Sequence, residues 1–434
     1  MGNIEIKIRR LGPVRDSDIV LKPFMIFTGE SGTGKSYTAL LVHYIYRVLC
    51  NTIDIRDFFD YIGASFDRHK EQLTDDEGFL FEFTLQQFEE WISSASIRYV
   101  STSIGNFSFN GDVSVKFHEL PDTYRFYYKK EVVEVGGEMK YYDTIVINKD
   151  INMRLPYRSQ GWSSLPYAAL WELYLKTAYD IKQDSTFLLP PSRGGLVCLN
   201  DTGRGDFNNS SAGMYKEFIN DFGQLKSLAP KDGIKSEEYS ILSHDLINGK
   251  INIRENELFY EQEFGEIPIT ASAASIKELA PFAVMLQKGL VERYSITFEE
   301  PETNLHPELQ IKSADIMASL LRKGCRLLVT THSDYFLRRI NDLIRLDLLK
   351  SKVHDKEYIE FCNNHHYSPS LTIPQEIIGA YFFKRTSYSD TEIMSQNAGD
   401  GIPFDTFRSV LQNQLTDSSY IYDKICEINE TADQ

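Results

Sequence analysis

Residues 24–36, Phe24-Met25-Ile26-Phe27-Thr28-Gly29-Glu30-Ser31-Gly32-Thr33-Gly34-Lys35-Ser36, decide the fold. Phe24 to Phe27 is a short apolar run of the kind a buried strand needs. Gly29 to Ser36 then fits G-x-x-x-x-G-K-[ST], the phosphate-binding loop. Ala39, Leu40, Leu41, Tyr44, Ile45 and Val48 follow at helical spacing. Strand, glycine loop and helix are the three parts of a phosphate cradle. Glycines let backbone N–H groups turn inward, and the helix N-terminus adds partial positive charge. In this reading Gly29, Glu30, Ser31, Gly32, Thr33, Gly34, Lys35, Ser36 and Tyr37 bind the nucleotide. Lys35 reaches the β- and γ-phosphates and the Ser36 hydroxyl binds Mg²⁺. A dinucleotide fingerprint fits worse, because the glycines fall at 29, 32 and 34 and a lysine follows.

Upstream, Ile4, Ile6 and Ile8 alternate with Glu5, Lys7 and Arg9 as in a half-buried strand. Gly12-Pro13 reads as a turn and Ile19–Leu21 as a second short strand. The loop therefore belongs to a mixed N-terminal sheet. Residues 51–181 carry no chemical motif. Gln86 to Ser93 reads as helix. Tyr124–Val135 and Met139–Ile147 flank Gly136-Gly137 as a hairpin, and Ala168–Ile181 reads as an amphipathic helix. Phe79, Phe81, Phe83, Phe88 and Trp91 suit a core or an interface, with core the safer reading. The division this suggests is 1–50 and 182–434 as one nucleotide-binding domain, interrupted by an α+β insertion at 51–181 that makes partner or assembly contacts.

Beyond the insertion, Phe187 to Arg193 is a strand ending in a loop, and Asp201 to Ser211 a polar loop. Met214, Tyr215, Phe218, Ile219, Phe222 and Leu225 mark a core-facing helix, and a second runs near 237–247. Ile251–Arg254 and Leu258–Gln262 form a hairpin. Ile269 to Leu279 opens a helix with small residues; Ser272 or Ser275 reads as its cap or as part of an anion site. Tyr294 to Phe298 is a buried strand that runs into Glu299-Glu300-Pro301-Glu302. Paired carboxylates there can complete a Mg²⁺ shell and polarise a water. Glu308–Leu321 reads as helix, and Arg326–Thr330 as a strand ending at Thr331-His332-Ser333. A strand near 378–383 and a helix near 404–411 follow, and His365-His366 reads as a surface pair.

The chain has 434 residues, 42% hydrophobic, with a net charge of −16. Such a balance argues against a surface coated for nucleic acid. Its five cysteines are scattered without C-x-x-C, so neither a disulfide framework nor a zinc site is expected. Without an apolar signal region or membrane-length run, a cytoplasmic location is expected.

The order of these segments resembles the nucleotide-binding domain of ABC-type ATPases, and within that class the RecF/SMC/OLD branch. Gly29–Ser36 resembles the Walker A motif. Ile296–His306 is similar to the Walker B strand and D-loop of OLD-like ATPases, and Thr330–Ser333 to the switch-histidine loop. The resemblance implies an α/β P-loop ATPase fold with a mixed sheet, with ATP and Mg²⁺ as ligands. It implies that Ser36 and Glu299 hold the metal, that Glu300 is the general base and that His332 senses the γ-phosphate. Ser272 to Ser275 would act in trans across a homodimer or higher oligomer. Two positions depart from the pattern: the Walker B acid is a glutamate, and the signature-like Ser272–Ser275 lacks glycine. No nuclease motif follows His332. The resemblance therefore extends to ATPase subunits of two-gene phage-defence systems such as PARIS, which implies a separate effector protein, a nuclease by analogy. A RecF-like DNA-binding repair ATPase is the alternative.

Overall fold

The computed structural model describes residues 3–64, 78–149, 151–156, 170–201, 213–229, 237–399, 401–403 and 405–432. Most of the expected loop at 201–211, and residues 168–169 of one expected helix, lie outside them.

A nine-stranded mixed sheet forms the centre. Its strands are β1 (Ile4–Leu11), β2 (Val14–Val20), β3 (Phe24–Gly29), β5 (Gly111–Phe117), β9 (Ser185–Leu189), β13 (Tyr294–Glu299), β14 (Arg326–Thr330), β15 (Ile378–Arg385) and β16 (Thr391–Gln396), in the order β5-β1-β2-β16-β15-β3-β14-β13-β9. From β15 to β9 all neighbours are parallel. Phe24 and Ile26 of β3 face one hydrophobic core and Met25 and Phe27 the other. A strand buried on both faces must be apolar throughout, which is why β3 reads as a continuous run.

On one face lies α1 (Lys35–Cys50), with α2 (Thr52–Tyr61) and α3 (Leu85–Ser103) beside it. The α3 helix is longer than the expected 86–93. A capping box starts it, with the Thr84 hydroxyl accepting from Gln87 N–H and the Gln87 side chain accepting from Thr84 N–H. The opposite face carries α4 (Arg193–Asp201), α5 (Gly213–Ser227), α6 (Glu237–Ile241), α7 (Ala274–Gln287), α8 (Pro307–Arg322), α9 (Asp334–Lys352) and α10 (Asp355–Asn364).

The described residues of 51–181 contribute both to the main sheet and to a sheet of their own. β5 pairs with β1 in the main sheet and α3 packs on α1. Of this stretch only β4 (Gly78–Thr84), β6 (Thr123–Val135), β7 (Glu138–Ile147) and β8 (Ile151–Pro156) make a separate antiparallel sheet; β10 (Lys250–Arg254), β11 (Glu257–Gln262) and β12 (Gly265–Pro268) make another. Gly136 and Gly137, both at positive φ, close its β6–β7 hairpin as the dipeptide suggests. Phe83, Phe88 and Trp91 are buried core residues and Phe81 packs against them; Phe79 lies outside the described side chains.

The C-terminal helix is corrected most. It is expected at 404–411, whereas α11 spans Asp405–Ala432. Leu415, Ile421, Tyr422, Ile425 and Ile428 on it are exposed. Among the described residues no helix is long and apolar enough to cross a membrane.

Candidate nucleotide site

The ladder of the central sheet brings the predicted residues together. β3 delivers the glycine loop and α1 continues from it. β13 on one side ends at Glu299, and Glu300 N–H is bonded to Thr330 O at 2.9 Å. Between them β14 ends at Thr330, and Thr331 N–H bonds Phe27 O at 3.0 Å. The carboxylate pair is therefore locked by a backbone bond to β14, and the histidine loop by one to β3, the strand that carries the glycine loop. Lys35, Ser36, Tyr37, Glu300 and His332 line one cleft of about 490 Å³.

Glycine is required at two loop positions. Gly34 has φ +93°, and a Cβ there would lie 2.8 Å from Val14 Cγ2. At Gly29, φ +129°, a Cβ would lie 2.5 Å from the Phe383 carbonyl oxygen of β15. Within the loop the Thr33 hydroxyl donates to Glu30 O. Lys35 Nζ donates to Gly29 O at 3.0 Å and Glu30 O at 2.6 Å. Burial pushes the Lys35 amine down to about 8, against the pull of Glu300 and Glu299.

Glu299 is buried. Its Oε2 accepts from Ser36 Oγ at 2.5 Å, and its Oε1 has no hydrogen-bond partner. Burial, with Glu300 as a neighbouring like charge, pushes its carboxyl up to about 7. A hydroxyl and a buried carboxylate oxygen without a donor make a fitting donor set for a hard divalent cation, whose remaining ligands come from phosphates and water. Among the described residues no cluster of three or more His, Cys, Asp or Glu offers an all-protein metal cage.

Glu300 sits in the left-handed region at φ +48°, costly for a residue with a Cβ. The Thr303 hydroxyl donates to its Oε2 at 3.3 Å. Burial and the Lys35 cation hold the His332 imidazole below its usual range. Ser333 caps α9 by accepting from Phe336 N–H.

Ser272 and Ser275 do not line the cleft. Nor does either cap α7: the N-cap is Ala273, without a side-chain bond, and Ser272 Oγ donates to Ile269 O at 2.7 Å. The capping reading of these serines is therefore corrected. His365 and His366 are exposed, as expected.

Three contributors escape a motif reading. Glu302 accepts from Thr331 Oγ1 at 2.8 Å and His332 N–H at 2.7 Å, joining the acidic loop to the histidine loop. Arg193, fully buried, donates to the carbonyls of Glu299 at 2.7 Å, Glu300 at 3.3 Å, Pro190 at 3.0 Å and Glu278 at 3.0 Å. It also pairs with the Glu278 carboxylate at 3.6 Å. Arg193 thus ties α7 to the carboxylate pair. Its sequence signal is slight, an arginine after Pro190-Pro191 at the end of an apolar strand. The third is Arg385, at the end of β15, which lines the same cleft.

A family model described as an AAA ATPase domain matches residues 287–337, the segment holding β13, the carboxylate pair, α8, β14 and the histidine loop. No curated protein matches the chain. Among solved structures it is similar to an SMC head bound to the C-winged helix domain of ScpA, with a TM-score of 0.37, 10% identity and coverage of 91% of this chain and 97% of that one. It is also similar to the SMC head domain from Thermotoga maritima, with a TM-score of 0.31, 10% identity and coverage of 91% and 99%. A third is an Smc head domain with an extended coiled coil, bound to the C-terminal domain of ScpA derived from Pyrococcus furiosus, with a TM-score of 0.36, 10% identity and coverage of 95% and 99%.

Proposed function

We propose that this chain binds and hydrolyses ATP as an ABC-type ATPase, and that it works as a multimeric scaffold or sensor for a separate effector in antiviral defence. One observation carries the ATPase reading. Three neighbouring parallel strands, β3, β14 and β13, bring Lys35 and Ser36, His332 and Glu300 to a single cleft, with Glu299 bonded to Ser36. Lys35 and the loop amides hold the phosphates. Ser36 and Glu299 hold Mg²⁺, which supplies charge neutralisation at the phosphates when bound. Glu300, at the cleft wall, orients the attacking water and accepts its proton. His332 donates one hydrogen bond from a ring N–H to the terminal phosphate. Ser272 and Ser275, outside the cleft of their own chain, serve a partner copy.

The effector and defence parts of the reading rest on the OLD-like residues 296–306, and the net charge of −16 weighs against DNA as main ligand. The test is ATP turnover and binding in two variants. Lys35→Ala loses a charge-assisted contact worth about 1.5–3 kcal/mol, so ATP affinity falls roughly 10- to 150-fold. Glu300→Gln keeps ATP and Mg²⁺ binding and loses turnover, because the amide preserves shape and cannot take a proton. Unchanged turnover in both would end the ATPase reading. Light scattering with ATP tests assembly; a strict monomer that binds duplex DNA tightly at physiological salt would favour the RecF-like alternative.

A further inference from the structure

We infer that Arg385 is a further phosphate-binding residue of this site, directed at the terminal phosphate, and that Glu30 holds it in check. The inference rests on reading the cleft as an ATP site. The strand carrying the glycine loop has two neighbours, and each delivers a side chain to the rim. β14 pairs Thr330 with Phe27 and is followed two residues on by His332. β15 pairs Phe383 with Gly29 on the other side and ends at Arg385. The sheet register, rather than loop geometry, therefore fixes where Arg385 emerges.

The guanidinium reaches over the loop. Arg385 Nη2 donates to Ser31 O at 3.0 Å and lies 3.6 Å from the position a Cβ on Gly32 would take. Arg385 Nε donates to Glu30 Oε2 at 3.4 Å, and Nη1 to Tyr388 O at 3.3 Å in the β15–β16 turn. These contacts place a permanent cation at the Glu30–Gly32 half of the loop, opposite the Ser36–Tyr37 half where the helix begins. Arginine is the side chain whose fork matches phosphate oxygens in pairs. Its present anionic partner, Glu30, is mostly exposed, so this pair is weakly held and a phosphate can replace the carboxylate. Glu30 is thus a competitor for Arg385 as well as a source of repulsion for the nucleotide.

The experiment measures affinities for ADP and for the non-hydrolysable β,γ-imido analogue of ATP, with Mg²⁺, by calorimetry. Arg385→Ala is expected to weaken the triphosphate analogue about ten- to hundredfold and ADP less than about twofold. Arg385→Lys is expected to fall between, since it keeps the charge and loses the fork. Lys384→Ala, which removes the same charge one residue away on the opposite face of the strand, is expected to change neither. Glu30→Ala is expected to tighten the triphosphate analogue severalfold in the wild-type background and distinctly less in the Arg385→Ala background. Equal loss of both ligands in Arg385→Ala, or no loss, overturns the assignment, and an equal gain from Glu30→Ala in both backgrounds overturns the restraint by Glu30. Wild type and Lys35→Ala separate the two readings. If wild type binds neither ligand, the ATP site itself fails. If Lys35→Ala loses both while Arg385→Ala is silent, only the role of Arg385 fails.

Discussion

Replacing Arg193 with methionine is expected to destabilise the protein by about 3–5 kcal/mol. Methionine replaces the aliphatic stem and suits an apolar pocket but leaves the guanidinium's space unfilled, so the loss comes chiefly from hydrogen bonds and charge with a smaller packing part. Arg193 donates to four backbone carbonyls, of which the shortest, to Glu299, is 2.7 Å. It also stacks over the Phe298 ring, 4.5 Å from the centroid. Buried acceptors left without donors cost about 1–3 kcal/mol each, with partial relief as the backbone relaxes. Glu278 Oε2 already has no hydrogen-bond partner, and the variant strips that carboxylate of its ion-pair partner 3.6 Å away. Breaking a buried pair from one side costs about 3–5 kcal/mol, which sets the scale of the whole effect. Glu278→Gln should cost far less, about 1 kcal/mol, because Arg193 keeps its carbonyls. The double variant Arg193→Met/Glu278→Leu should recover part of the loss by removing the stranded carboxylate. The assay is urea unfolding followed by circular dichroism. With m about 3 kcal/mol/M or more for a chain this large, the midpoint of Arg193→Met falls by at most about 1–1.7 M. A shift below 1 kcal/mol, or a Glu278→Gln variant as damaged as Arg193→Met, would refute the view that Arg193 pins the carboxylate loop to α7.

Two further outcomes follow from the same structure. Burial, with the neighbouring Glu217 charge second, pushes the Asp221 carboxyl from 3.8 up to about 7, so its stabilising contribution is full below about pH 4 and lost as pH rises to about 7. Asp221→Asn should therefore gain stability over wild type with rising pH, by at most about 4 kcal/mol above pH 7, and a pH-independent difference in melting temperature between the two would contradict this. Gly34→Ala meets Val14 Cγ2 at 2.8 Å and a backbone at φ +93°, so it should cost at least about 1–2 kcal/mol and weaken ATP binding; unchanged melting and affinity would show that the loop relaxes freely.

What the sequence made legible depended on whether the signal was local. The glycine loop, the paired glutamates and the histidine loop are each contiguous, and each needs only its own strand to be placed. β14 is buried throughout and β3 and β13 at all but one end residue each, so largely apolar runs mark them. The contributions of Arg193 and Arg385 are not local. β15 reads as a strand from its own residues, but nothing in them says that it lies against β3, and only that adjacency puts Arg385 over the loop. Arg193 reads only as the end of a strand that runs into a loop; arginine is rarely buried without partners, and its partners are carbonyls 85 to 107 positions away together with Pro190 nearby. The C-terminal helix fails for the opposite reason. Gln412 to Ser419 contains one apolar residue, Leu415, so hydrophobic periodicity stops although the backbone does not. Periodicity reports burial against the chain's own core, and the described side chains of α11 from Gln412 to Ile425 are all exposed. Sequence pattern thus recovers the strands that build the cleft, while the residues that tension it are set by which strand lies beside which.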